Sequence, residues 1–102
     1  MKSFETPSYM ELALNEARRA LENGEVPVGA VIVSHDRSTF FTARNQMREL
    51  NDPTAHAEIL AIRKACNSLK TERLIDYDLY VSLEPCSMCA AAISFARIRR
   101  LY

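Results

Sequence analysis

Apolar residues recur at steps of three and four between Ser8 and Asn23, which is the pattern of an amphipathic helix. Ser8 is followed three residues later by Glu11, the spacing of a capping box, and Asn23-Gly24 supplies a stop signal. The apolar stripe of this segment consists of Met10, Ala13, Leu14, Ala17 and Leu21. We therefore predict a first helix over residues 8–23.

Two stretches rich in β-branched and aromatic residues follow, with a polar turn between them. Val26–Val33 (VPVGAVIV) contains almost no polar residue, which is typical of a strand covered on both faces. Thr39–Arg44 (TFFTAR) comes after the turn SHDRS and predicts an antiparallel partner strand.

The second half of the chain alternates helix and strand signals. Asn51-Asp52-Pro53 is typical of a helix start, because proline is favoured at the first helical position, and this helix should run to about Ser68. Tyr77–Leu83 predicts a strand, Cys86 to about Ala96 a third helix, and the terminal RIRRLY the opening of another strand.

The resulting order is α-β-β-α-β-α-β, in which strands separated by helices indicate parallel crossovers. We predict an α/β fold, a three-layer α-β-α sandwich with a mixed central sheet, in a single domain over residues 1–102. Because the last strand stops at its first residues, we expect the C-terminal part of the domain to be missing from this chain.

Composition and charge narrow the function classes only slightly. The 13 basic and 13 acidic residues cancel, so no overall field attracts the protein to DNA or a membrane. A local basic patch would still suffice for nucleic acid. The candidates for it are Arg63, Lys64, Lys70, Arg73, Arg97, Arg99 and Arg100. No signal peptide or membrane-length apolar run is visible, so we expect a cytoplasmic protein with reduced or metal-bound thiols.

One of the two histidines and two of the three cysteines fall in two short motifs, PTAHAE at Pro53–Glu58 and EPCSMC at Glu84–Cys89. Both motifs lie at predicted helix N-termini, where free N–H groups lower a thiol pKa. Cys86 and Cys89 are neighbours on one helix face, and His56 offers a third ligand from the other helix. Two sulfurs and one nitrogen suit zinc better than calcium or magnesium, and three ligands leave one position open, as in catalytic zinc sites.

The other candidate groups are weaker. Cys66 lies ten residues beyond His56, about 15 Å along the same helix, so we interpret it as a small buried hydrophobe. His35 is interpreted as a surface residue of a turn. The C-x-x-C pair alone could also be a thiol redox pair. Glu58 is two residues from His56, positions that do not normally face each other, although a long side chain at a helix start can bend over its end.

The order H-x-E followed by P-C-x-x-C resembles the zinc-dependent cytidine/deoxycytidylate deaminase superfamily, and within it the bacterial tRNA-specific adenosine deaminases. The stretches that carry the resemblance are Gly24–Val33, Asp52–Arg63, Arg73–Ile93 and Ala96–Tyr102. The resemblance implies one zinc ion per chain, bound by His56, Cys86 and Cys89, with Glu58 as the proton shuttle. The implied reaction is hydrolytic deamination of adenosine to inosine.

The resemblance also implies a substrate and partners. The expected substrate is the wobble adenosine of a tRNA anticodon stem-loop, and the expected assembly is a homodimer with no DNA or membrane partner. Asn45 falls at the position that contacts the base, and its amide offers both a donor and an acceptor. The other implied substrate-pocket residues are Val28, Gly29, Ala30 and Ala57.

Two other functions remain open on sequence alone. The first is deamination of a free base or nucleoside of the guanine or cytosine type, because NDPTAHAE is shared with guanine deaminases. The stretches VPVGAVIV and SLEPCSMCAAAI favour the tRNA enzyme. The second is an inactive, zinc-stabilised fragment, which the early end of the chain favours and the presence of Glu58 disfavours.

Overall fold

The computed structural model describes residues 8–102, which contain three helices and four strands. The helices are α1 (Tyr9–Glu22), α2 (Ala57–Leu69) and α3 (Ser87–Ala96), and the strands are β1 (Gly29–Ser34), β2 (Phe40–Arg44), β3 (Tyr77–Val81) and β4 (Arg100–Leu101). The predicted elements and their order are therefore confirmed, while the single-domain range 1–102 stays a prediction. Within the described range, no helix is long and apolar enough to span a membrane.

The four strands form one mixed sheet in the order β2-β1-β3-β4. β1 is antiparallel to both β2 and β3, so β2 and β3 run in the same direction, and β3 pairs with β4 in parallel. Each connection that contains a helix therefore joins strands of the same direction, as the sequence predicted.

β1, which lies between β2 and β3, is buried along its whole length because helices cover both faces of the sheet. Ala30 and Ile32 belong to a core cluster with Ala57 and Ala61 of α2. Successive side chains of a strand point to opposite faces, so Val31 turns towards α1. The predicted three-layer sandwich is confirmed.

The two ends of α1 follow the predicted capping signals. The Ser8 hydroxyl accepts the N–H of Glu11 at 3.1 Å, and the Ser8 N–H donates to the Glu11 carboxylate at 2.9 Å, which completes the capping box. Asn23 is the C-cap residue. The helix is one residue shorter at each end than predicted.

The predicted start of α2 at Pro53 is wrong. The helix begins at Ala57 with His56 as its N-cap residue. Asp52 does not cap a helix here; its carboxylate accepts the N–H of Thr54 at 2.9 Å and the Thr54 hydroxyl at 2.7 Å, closing a local turn. This turn delays the start of α2 to Ala57, so His56 lies at the end of the helix, as its N-cap residue, and not inside it.

Candidate active site

The ends of three strands meet at one edge of the sheet. β2 and β3 run in the same direction and end there, and the antiparallel β1 begins there. Two backbone bonds hold this edge together: the N–H of Asn45 donates to the Val28 carbonyl at 3.0 Å, and the N–H of Ser82 donates to the Gly29 carbonyl at 3.0 Å. The loops that leave β2 and β3 lead to the starts of α2 and α3.

His56 and Cys86 occupy equivalent positions, each as the N-cap residue of a helix. Cys89 lies in the first turn of α3 and is fully buried. The His56 Nδ1 atom is 3.6 Å from the Cys86 sulfur and 3.4 Å from the Cys89 sulfur. All three ligand atoms lie within 4.8 Å of one another. The structure thus brings together the three residues that were predicted to bind a metal ion.

These separations fit a zinc ion. With Zn–S near 2.3 Å and Zn–N near 2.0–2.1 Å, a tetrahedral angle places nitrogen and sulfur about 3.6 Å apart. Both measured distances are close to this value. Thiol hydrogen bonds to the imidazole explain the arrangement less well, because one Nδ1 lone pair accepts only one thiol proton, whereas two sulfurs converge on the same atom.

The two thiols differ in their electrostatic surroundings. The backbone N–H of Cys89 lowers the pKa of Cys86, as expected for a thiol at a helix N-terminus. Burial, followed by the negative charge of Glu58, raises the pKa of Cys89 from 9.0 to about 12. The expectation of a lowered thiol pKa therefore holds for Cys86 and is wrong for Cys89.

The carboxylate of Glu58 lies beside the two sulfurs. Its negative charge acts to raise the pKa of both Cys86 and Cys89. The residue is the second of α2 and only 4% exposed. Because His56 lies at the end of the helix, the two-residue spacing does not separate Glu58 from the cluster. The site therefore offers three of the four ligands of a tetrahedral zinc ion, with an acid–base group beside them.

The family with a matching sequence profile is described as the cytidine and deoxycytidylate deaminase zinc-binding region, and the match covers residues 5–102. The chain belongs to this family. Zinc is the metal of this domain, and the His56, Cys86 and Cys89 side chains fit it.

Named relatives are similar to this deaminase domain over most of its length. The tRNA-specific adenosine deaminase of Agrobacterium fabrum is 63% identical over 98 residues, which are 96% of this chain and 64% of that protein. The tRNA-specific adenosine deaminase of Aquifex aeolicus is 50% identical over 93 residues, which are 91% of this chain and 61% of that protein. The chain thus spans a little under two thirds of the length of these relatives.

Solved structures of the same fold include two different kinds of deaminase. A structure described in terms of A-to-I editing by tRNA deaminases at the wobble position superposes with a TM-score of 0.89 at 65% identity, covering 92% of this chain and 72% of that one. The guanine deaminase of Bacillus subtilis superposes with a TM-score of 0.87 at 39% identity, covering 96% of this chain and 62% of that one.

The predicted substrate-pocket residues of this deaminase domain lie at or near the same edge of the sheet. Asn45 is 4% exposed, and its side-chain oxygen accepts the N–H of Met47 at 3.2 Å. Val28 and Ala57 belong to the core cluster. Gly29 faces α1, on the side of the sheet away from His56, and the helix backbone occupies the space that a side chain would fill. Contacts of these residues with a base stay predictions.

Residues outside the site behave largely as their sequence contexts indicated. Cys66 is half-buried and His35 is exposed, and neither belongs to the metal cluster found within residues 8–102. Three of the candidate basic residues are engaged within the protein: Arg99 with the buried Asp78 at 2.9 Å, Arg63 with Asp52 at 3.5 Å, and Lys64 with the carbonyl oxygen of Thr42.

One buried acidic residue near this edge was missed by the sequence analysis. Glu25 is 5% exposed, and its two carboxylate oxygens accept the backbone N–H groups of Arg48 and Glu49. No periodic pattern in the sequence predicts the burial of Glu25, because its partners are main-chain groups more than 20 residues away.

Proposed function

We propose that this chain catalyses the zinc-dependent hydrolytic deamination of adenosine to inosine at the wobble position of a tRNA anticodon loop. The observation that carries the proposal is the convergence of His56, Cys86 and Cys89 within 4.8 Å, with the buried carboxylate of Glu58 beside them. The similarity to tRNA-specific adenosine deaminases supports the choice of substrate.

Each residue of the site has a chemical task in this reaction. When bound, zinc supplies a Lewis acid that makes water nucleophilic near neutral pH. His56, Cys86 and Cys89 hold the ion and leave one tetrahedral position for water or substrate. Glu58 takes one proton from the attacking water and passes it to the purine ring as the oxygen bonds to C6. It then moves a second proton from the added hydroxyl group to the amine, the C6–N bond breaks, and ammonia and inosine are released.

Asn45 is proposed to hold the base. Its side-chain oxygen accepts the Met47 N–H, which fixes the orientation of the amide and leaves its NH₂ group as a donor for a base edge. The anticodon loop suits such a site because an unstacked base of a single-stranded loop can enter a pocket.

Deamination of free guanine is the second candidate, because the guanine deaminase of Bacillus subtilis superposes with a TM-score of 0.87. Its identity of 39% is well below the 63% of a tRNA-specific relative, which favours the RNA substrate. The two candidates are separated by incubating the protein with an anticodon stem-loop RNA that carries adenosine at the wobble position, and separately with guanine. We expect inosine in the RNA and no xanthine.

The role of Glu58 is tested with Glu58→Ala. We expect zinc to be retained at one ion per chain, while the rate of inosine formation falls by roughly 10²–10⁴-fold, the contribution typical of a general acid–base group. Glu22→Gln is the control, since Glu22 is an exposed acid at the end of α1. Equal activity of the Glu58 variant and the wild type would remove Glu58 from the mechanism, and an inactive wild type with bound zinc would favour the fragment interpretation.

We further propose that two copies associate in the cytoplasm to form a homodimer that binds tRNA and neither DNA nor membranes. An open cavity of about 720 Å³ beside α2 and α3, lined in part by Phe95, supports an interface at this surface. Phe95 is 77% exposed and lines this cavity together with Ile62 and Ala92, and an exposed group of apolar side chains is typical of an interaction site. Sedimentation should give a dimer for the wild type and a monomer for Phe95→Asp; a wild-type monomer at micromolar concentration would contradict the proposal.

A further inference from the structure

The buried carboxylate of Glu25 holds the loop that follows β2. Oε1 accepts the N–H of Arg48 at 3.0 Å, and Oε2 accepts the N–H of Glu49 at 2.8 Å. The loop lies outside the sheet and the helices, and backbone bonds such as that from the Leu50 N–H to the Gln46 carbonyl close it into a turn. The N–H groups of Arg48 and Glu49 are satisfied by Glu25, which ties this turn to the segment before β1. A carboxylate that accepts two successive amides is a strong and directional anchor.

The anchored loop in turn holds the side chain of Asn45. The Asn45 side-chain oxygen accepts the N–H of Met47 at 3.2 Å, and Met47 directly precedes the first residue that Glu25 binds. Both Glu25 and Asn45 line one cavity of about 420 Å³. A continuous path of hydrogen bonds and one short stretch of backbone therefore connects the Glu25 carboxylate to the Asn45 amide.

We propose that Glu25 is a positioning residue that fixes the orientation of the Asn45 amide through the loop at residues 47–49. This inference rests on the proposed function, because Asn45 is there the residue that contacts the base. Glu25 itself touches no substrate. If the anchor is loosened, the Met47 N–H moves, and the Asn45 amide is free to rotate away from the orientation that presents its NH₂ group.

The test is a double-mutant cycle with Glu25→Gln and Asn45→Ala. The glutamine has the shape of Glu25, but its NH₂ group faces one of the two backbone N–H groups, so one acceptor is lost. We expect kcat/KM for the anticodon stem-loop RNA to fall about tenfold in Glu25→Gln, the size of one lost hydrogen bond at its upper range. Because Glu25 acts through Asn45, the double variant should be no slower than Asn45→Ala alone.

Glu11→Gln is the matched control. Glu11 is also a carboxylate that accepts a backbone N–H, from Ser8 at 2.9 Å, but it lies at the start of α1. Its effect on kcat/KM should be small and should multiply with that of Asn45→Ala. If Glu25→Gln likewise multiplies with Asn45→Ala, or leaves kcat/KM unchanged, Glu25 supports the fold only and the proposal is overturned.

A readout without turnover separates this proposal from the proposed function. The side-chain NH₂ resonances of Asn45 should shift in Glu25→Gln and not in Glu11→Gln, with one zinc ion per chain in both proteins. If the wild type forms no inosine, the proposed function fails, and the resonances alone decide the positioning role; unmoved resonances overturn it. If Glu25→Gln does not fold, Glu25→Asp, which keeps both acceptors on a shorter arm, takes its place with the same expected directions.

Discussion

Gly29 gives the sharpest test of how α1 packs on the sheet. A Cβ atom at this position would lie 2.6 Å from the backbone nitrogen of Ala17 and 2.7 Å from the Cβ of Glu16, and closer still to the carbonyl oxygen of Ala13. Ordinary contacts of a Cβ atom begin near 3.4 Å, so α1 would have to withdraw by about 0.8 Å to clear the Ala17 nitrogen and by more to clear the Ala13 carbonyl oxygen. The Gly29→Ala variant therefore places one methyl group where no space exists.

The cost follows from what would have to move. Overpacking a core by one methylene typically costs about 1–3 kcal/mol, and here the obstacle is a helix backbone and not the end of a flexible side chain. We expect Gly29→Ala to lower the free energy of unfolding by about 3 kcal/mol. In a domain of this size, this corresponds to a melting temperature lower by roughly 10–25 °C.

Gly24→Ala is the control for the loss of a glycine. Gly24 has a φ of +76°, but the nearest atom to an added Cβ is 3.9 Å away, so only backbone strain opposes the substitution. That strain costs about 1 kcal/mol. Urea unfolding of both variants, with zinc content measured on the same samples, gives the comparison. If Gly29→Ala is no more destabilised than Gly24→Ala, the packing of α1 described above is incorrect.

Two further predictions concern the metal site and the hairpin turn. Cys89→Ser should abolish stoichiometric zinc binding, whereas Cys66→Ser should keep one zinc per chain; equal zinc content in the two would refute the assignment. Hydrogen bonds from Ser38 and Ser34 lower the pKa of Asp36 from 3.8 to about 2, so the turn stabilises the fold above pH 3.8 and loses that contribution as the pH falls towards 2. Asp36→Asn should flatten this part of the acid unfolding profile, and an unchanged profile would contradict it.

The elements and the metal ligands were predictable because each depends on a local signal. The capping box of α1 is read directly from residue spacing and is confirmed. The predicted apolar stripe is correct only in part, because Ala13 and Ala17 are buried whereas Leu14 and Leu21 are exposed. Cys86 and Cys89 share one turn, and the length between the two motifs suffices to return the chain to the same edge of the sheet. The convergence of the three ligands therefore follows from local helix geometry and from the chain length between the two motifs.

The features that escaped prediction have two causes: a choice between two local structures at Asp52, and burial or contacts between distant parts of the chain at Cys89 and Glu25. Aspartate is favoured both before a helix and in a turn, so the sequence does not distinguish the two. In the structure Asp52 closes a turn with Thr54, and α2 begins at Ala57. The raised pKa of Cys89 comes mainly from burial, which a helix N-terminus alone does not reveal. Glu25 accepts hydrogen bonds from main-chain N–H groups, which every residue except proline has, so the side chains of its partners do not reveal the contact.

The central claim is that one zinc ion is bound by one nitrogen and two sulfurs from His56, Cys86 and Cys89. X-ray absorption at the zinc edge of the purified protein tests it most directly, because it gives the number and type of the ligand atoms and their distances from zinc. We predict one zinc per chain with two sulfurs at about 2.3 Å and two lighter atoms at about 2.0–2.1 Å, namely the imidazole nitrogen and one oxygen. A first shell with no sulfur, with four sulfurs, or a protein without zinc would contradict the account.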